Sequence, residues 1–181
     1  MKNFLLKLAR ESIETYVKNG KKIIVPENYP KEMNEKRGVF VTLYEKSNRE
    51  LRGCMGIPYP EMPLIEAIVE ASVCVCTDPR FEPLKSEELK NIFIEVSVLT
   101  KPEPVDIKNI KKEVEIGKHG LIIRKGFNGG LFLPQVPVEQ NWNMDEYLEN
   151  LCYKAGLTAD SWLDDDCKIF KFETEIFKED D

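Results

Sequence analysis

The sequence predicts an α+β fold, two-lobed and built mainly on antiparallel sheet, and three observations carry that prediction. Apolar, β-branched stretches occur as hairpins around short polar turns. The order hairpin, helix, strand occurs twice, over residues 38–99 and again over residues 120–177. Between the copies, Pro102 and Pro104 break the pattern and mark the boundary of two lobes, about 1–100 and 101–181, within a single domain. Two hairpins, each followed by a helix and a lone strand, fit antiparallel pairing better than a doubly wound parallel sheet. Sequence identity between the copies is negligible, so the duplication is expected at the level of structure.

The elements follow in order. Residues 2–18 place Leu5, Leu6, Leu8, Ala9, Ile13, Tyr16 and Val17 at helical spacing, with Asn19-Gly20 as the stop. Residues 21–36, with Pro26 and Pro30, read as a connecting loop. Residues 38–44 form a strand by β-branched and aromatic content, residues 47–50 turn, and residues 51–56 return. Pro63 opens a mostly apolar helix that ends before Asp78-Pro79, because the residue before a proline resists helical geometry. Residues 86–89 make one helical turn. Residues 91–99 form a strand with Ile92, Ile94, Val96 and Val98 on one face. A short charged helix is expected near residues 107–112. Strands at 121–124 and 131–135 flank a glycine-rich turn in which Asn128-Gly129 is the hairpin signal. Asn143 caps the next helix with Glu146 at its third position, and Gly156 ends it. Residues 168–177 alternate as one half-exposed strand.

Composition bounds the class. The chain has 181 residues, 42% hydrophobic and 32% charged, as in soluble globular proteins. It has no apolar run of about 18 residues and no apolar block of a signal peptide, so a cytoplasmic location and no membrane association are expected. A net charge of −6, from 26 basic and 32 acidic residues, argues against strong nucleic-acid binding. Lys108, Lys111 and Lys112 could form a local basic patch, but read better as a solvated helix or loop face. The five cysteines, Cys54, Cys74, Cys76, Cys152 and Cys167, are odd in number and irregularly spaced, which suggests free thiols. Cys74 and Cys76 stand about 200° apart on a helix and cannot share a metal. No Cys-x-x-Cys pair and only one histidine, His119, are present, so no metal site is expected. The glycines from Gly126 to Gly130 lack the lysine of a phosphate-binding loop.

The stretch Leu51-Arg52-Gly53-Cys54-Met55-Gly56 departs most from an ordinary strand. Alternation puts Leu51 and Met55 toward a core and Arg52 and Cys54 on the other face, a cation about 6–7 Å from a thiol. Gly53 leaves room for a ligand or another backbone to approach. A cation there favours the reactive thiolate of Cys54, and Arg52 could orient an anionic group. The structural alternatives are a buried Cys54 and an ion pair from Arg52 to Asp78 or Glu95.

Taken with three further blocks, this stretch resembles the signature of the AMMECR domain family, named for a chromosomal region linked to Alport syndrome, midface hypoplasia and elliptocytosis. The other blocks are Asp78-Pro79-Arg80-Phe81 with Pro83-Leu84, then Glu95-Val96-Ser97-Val98-Leu99. The last is Gly130 to Val136 with Glu139, Trp142 and Leu151-Cys152 through Leu157. The blocks stand in the family's order and span nearly the whole chain. Met55 replaces the usual isoleucine, and Ile57 stands where threonine is common, which removes a hydroxyl. The resemblance implies a two-lobed α+β domain. It also implies a setting beside Memo-like and radical-SAM proteins, in a redox or modification pathway.

The candidate site residues are therefore Cys54 as the catalytic group, with Arg52, Gly53, Asp78, Arg80, Glu95, Gln135, Glu139 and Trp142 as ligand-binding positions. Each has a structural alternative. Asp78 and Arg80 could pair with each other or hold the signature strand. Glu95 could be solvated or face the cleft between lobes. Trp142 could stack on a flat ligand or pack a helix entry. A Cys54–His119 dyad would require the lobes to meet there. The sequence names no cofactor, and the partner is an unidentified small molecule or protein. Two functions from different classes fit: a small-molecule-binding or catalytic cleft around Arg52-Gly53-Cys54, or a non-catalytic module docking a peptide or protein in the groove between lobes.

Overall fold

The computed structural model describes residues 2–179. The chain divides into two compact units, the first made of Met1–Leu99 and Glu175–Asp181, the second of Thr100–Thr174.

In the first unit, β1 (Val39–Glu45) and β2 (Leu51–Ile57) form the hairpin, and β3 (Ile92–Leu99) pairs antiparallel on the other side of β1. With β8 (Thr174–Lys178) the order is β2-β1-β3-β8. Helices α1 (Lys2–Asn19) and α2 (Leu64–Val75) pack on each other and on this sheet. The apolar stripe of α1 is buried as its spacing predicts, and Gly20, at φ +66°, closes it by donating its N–H to Tyr16 O. Val39, Val41 and Leu43 of β1 meet Val98, Val96 and Ile94 of β3 in register, all buried against the helices. The segment expected as a plain loop carries a short 3-10 turn at Lys31–Asn34 that buries Met33 completely. Leu51, expected to face the core, is 40% exposed at the start of its strand.

In the second unit, β5 (Gly120–Lys125) pairs with β6 (Asn128–Phe132) and with β7 (Lys168–Phe172), and β4 (Glu103–Pro104) flanks β7, giving the order β4-β7-β5-β6. Short helices α3 (Ile110–Glu113) and α4 (Gln135–Glu139) precede and follow the hairpin, and α5 (Met144–Lys154) lays Tyr147, Leu148, Leu151 and Cys152 into the core with Leu121, Ile123 and Ile169. Its N-terminus is the capping box expected from Asn143 and Glu146, closed by reciprocal bonds of 3.0 and 2.8 Å.

The duplication is visible in the topology. β2-β1-β3 and β6-β5-β7 have the same strand order and antiparallel sense, with α2 and α5 in equivalent places. Three local expectations are corrected. The hairpin turn is Gly126-Phe127 rather than Asn128-Gly129, because Lys125 pairs with Asn128 and Gly126 (φ +58°) takes the left-handed position. The following strand stops at Phe132, since Pro134 and Pro137 lack the N–H groups a ladder needs and Pro134 instead leads into α4. Residues 168–177 are not one strand: pairing breaks at Glu173, and β7 and β8 belong to different sheets. Among the described residues, no helix is long and apolar enough to cross a membrane.

Candidate functional site

β2 lies at the edge of its sheet, and its register with β1 explains the signature. Thr42 faces Cys54 and Leu43 faces Gly53, but Tyr44 faces Leu51, so Arg52 is the extra residue of a bulge. Alternation fails at Arg52, and the expected Arg52–Cys54 pairing fails with it. Arg52 gives Nε and Nη2 to Glu88 at 2.7 and 3.2 Å and Nη2 to the Glu82 carbonyl at 3.0 Å. Its partner is thus Glu88, not Asp78 or Glu95, and its side chain is only 11% exposed. The charge of Arg52 reaches Cys76, whose thiol is nonetheless pushed up to about 12, foremost by burial.

Gly53 is buried. A Cβ there would stand 3.2 Å from Val75 Cγ2 and 3.3 Å from Val75 O, so the approach it permits is that of the end of α2 rather than of a ligand.

Cys54 is half-buried, and its backbone is held from outside the sheet. Its N–H donates to Asp78 Oδ2 at 2.9 Å, and its carbonyl accepts Arg80 Nη2 at 3.0 Å. Asp78 also accepts the Arg80 backbone N–H at 3.1 Å, Nε at 3.0 Å and Nη2 at 2.7 Å. Together these side chains occupy the N–H and C=O that an edge strand leaves open. With both groups turned outward, Cys54 and Thr42 form a non-hydrogen-bonded pair, whose side chains approach closely. Thr42 Oγ1 accordingly donates to Cys54 Sγ at 3.2 Å. Hydrogen bonding to Arg80, above all, holds the Asp78 carboxyl well below the usual carboxylate range.

Glu95 faces Thr42 from β3, so Cys54, Thr42 and Glu95 form one row across three strands. Glu95 is buried and paired with Lys178 Nζ at 2.7 Å, rather than solvated. Sequence reading missed Thr42, Glu88 and Lys178. Thr42 had a usable signal, since it alternates with the core residues Val41 and Leu43 and lies one hairpin away from Cys54.

The remaining candidates lie in the second unit. Gln135 is the exposed first residue of α4 rather than a strand end, and Glu139 is its exposed last residue. Trp142 is half-buried, edge-on to Phe132 at 5.4 Å and beside Tyr147 at 6.5 Å, within the core of that unit. His119 Nδ1 accepts the Glu115 N–H at 2.9 Å, and Nε2 lies 3.6 Å from Glu173. Desolvation first, then the charge of Lys118, push its imidazole down from the ordinary value.

Comparison with known proteins adds the family. The AMMECR1 family model matches residues 6–177. Protein MJ0810 of Methanocaldococcus jannaschii is 51% identical, over 97% of this chain and 89% of the relative. Protein MK0488 of Methanopyrus kandleri is 48% identical, over 98% and 88%. The crystal structure of protein PH0010 from Pyrococcus horikoshii superposes with a TM-score of 0.85 at 47% identity, covering 99% of this chain and 91% of that one.

Proposed function

Because the chain belongs to the AMMECR1 family, we propose that its signature strand carries a small-molecule site in which the Cys54 thiol is the reacting group. The observation that carries this reading is the setting of Cys54: half-buried, clamped through its backbone by Asp78 and Arg80, and oriented through its sulfur by Thr42. A cysteine held through its N–H, its C=O and its sulfur at a sheet edge is prepositioned for a ligand, which lowers the ordering cost of binding or reaction. Cys76, Cys152 and Cys167 are buried and have no such opening. The wider setting of this reading is a redox or modification pathway beside Memo-like and radical-SAM proteins.

The competing reading is a non-catalytic module that docks a peptide or protein. It is favoured by Arg52 and Asp78, whose charges are spent inside the fold. A pull-down of metabolites and partner proteins with wild type and Cys54→Ala separates the two. Small molecules captured by wild type and lost by the variant support the thiol site. Protein partners retained equally by both, with no metabolite difference, would favour the docking module.

A further inference from the structure

We propose that this site takes a small carboxylate-bearing ligand, received by Arg80 rather than by Arg52. The inference rests on the reading of Cys54 as the reacting group and adds the class of ligand.

Two arginines contact the signature strand, Arg52 from within it and Arg80 from outside it, and their states differ. Arg52 is enclosed, its guanidinium given to Glu88 and the Glu82 carbonyl. Arg80 is fixed yet open: Asp78 holds Nε and Nη2, Nη2 also reaches the carbonyl of Cys54, and the side chain is still 56% exposed. A free arginine loses side-chain entropy on gripping an anion; one already braced loses less. The anchor on the Cys54 carbonyl keeps that guanidinium beside the thiol-bearing residue. The Arg80 guanidinium is held charged foremost by its hydrogen bond to Asp78 and further by the charge of that carboxylate.

Charge narrows the ligand. The Asp78 carboxylate stands directly behind Arg80 and offsets part of its charge, and Glu95, on the row of Cys54 and Thr42, is already paired with Lys178, so the site holds little net positive charge. A phosphate dianion meets more repulsion there than a carboxylate monoanion. The Thr42 hydroxyl beside the sulfur can donate to or accept from the ligand's polar atoms.

Alkylation supplies a probe that is itself a small carboxylate. Iodoacetate and neutral iodoacetamide react alike: the S–C bond forms, iodide leaves and the thiol proton passes to solvent. Rates at Cys54 are read by peptide-mapping mass spectrometry after labelling of the folded protein, which separates Cys54 from the half-buried Cys74, and are divided by those of N-acetylcysteinamide. A full unit charge about 6 Å away in water would favour an anion by roughly threefold, and Asp78 offsets part of the Arg80 charge, so the normalised iodoacetate-to-iodoacetamide ratio should exceed one and stay below about three. It should fall to one or below in Arg80→Gln, approach one at high salt, and persist in Arg80→Lys. A ratio of one or less in wild type, with Cys54 still labelled by iodoacetamide, overturns the carboxylate proposal and leaves the thiol reading intact. If neither reagent labels Cys54, the thiol reading falls. The carboxylate proposal is then decided by titrating sodium acetate while following the Cys54 and Arg80 backbone amides by NMR. Saturable shifts lost in Arg80→Gln sustain it, and no saturable shift overturns it. Tighter saturation of the same amides by inorganic phosphate also overturns it.

Discussion

The backbone N–H of Cys54 donates to the Asp78 carboxylate at 2.9 Å, and this bond joins two motifs 24 residues apart into one device. Asp78 is 2% exposed in its side chain and collects four donor contacts, three of them from Arg80. Its removal strands those donors. Asp78→Ala should destabilise the protein by about 2–4 kcal/mol, measured by urea unfolding. The sign of the pH effect follows from the direction of its shift. A carboxyl depressed in the folded state contributes stability above its unfolded value of about 4, and that stability is lost as pH falls toward the folded value. Glu88 is depressed as well, first by its hydrogen bond to Arg52, and acts in the same window. Asp78→Asn should therefore flatten the acid limb of the stability curve. An unchanged limb would remove Asp78 from this role.

Arg52 separates structure from reactivity. Its bidentate grip on Glu88 fastens the bulge of β2 to the 3-10 turn Ser86–Asn91, and its guanidinium lies 5.9 Å from the Phe81 ring. Arg52→Ala should cost about 1.5–3 kcal/mol, as expected for charge-assisted bonds. The rate of iodoacetamide labelling at Cys54 should stay at its wild-type value under conditions where the variant is folded. A labelling rate that drops with little change in stability would restore Arg52 as the partner of the thiol.

The bulge also shows where sequence reading stops. The hairpins, the apolar stripes and the capped α5 were legible because period, turn chemistry and capping are local. Arg52 was misplaced because one extra residue in β2 breaks a period-2 argument, and nothing in residues 51–56 announces it. Its partner Glu88 is 36 residues away, so only tertiary structure could identify it. Asp78 and Arg80 were legible as a pair, being two residues apart after a helix end. Their capture of the Cys54 backbone was less so, because it depends on β2 being an edge strand. The split of residues 168–177 between two sheets was hidden because both halves alternate alike.

The glycines of β2 make unequal demands. A Cβ on Gly56 would stand 2.4 Å from the Phe40 ring and 2.6 Å from the Val39 carbonyl oxygen, a backbone atom that cannot easily yield. On Gly53 the nearest atoms, on Val75, are 3.2 and 3.3 Å away and need shift by only tenths of an ångström. Gly56→Ala should therefore cost about 2–3 kcal/mol and Gly53→Ala about 1 kcal/mol, within the range of overpacked sites. Thermal unfolding of both variants checks the order, and a reversed order would mean that α2 is less yielding than the hairpin.

His119 should act as a stability switch within its own unit. Its side chain is 12% exposed, and Nδ1 is occupied as the acceptor of the Glu115 N–H, so the neutral ring carries its proton on Nε2, toward Glu173. Protonating Nδ1 replaces that acceptor with a second donor facing the Glu115 N–H. Burial and Lys118 oppose the charge, while Glu173 favours it and Lys171 opposes it further. With the folded imidazole depressed, the unfolded chain takes up the proton more readily. The contribution of His119 is then fully present above the unfolded value of about 6.5 and is lost as pH falls below it toward the folded value. Urea midpoints should drop between pH 7.5 and 5.5 in wild type and drop less in His119→Gln. Equal drops in the two proteins would show that other groups govern this window and that the Glu115–His119 bond survives protonation of the ring.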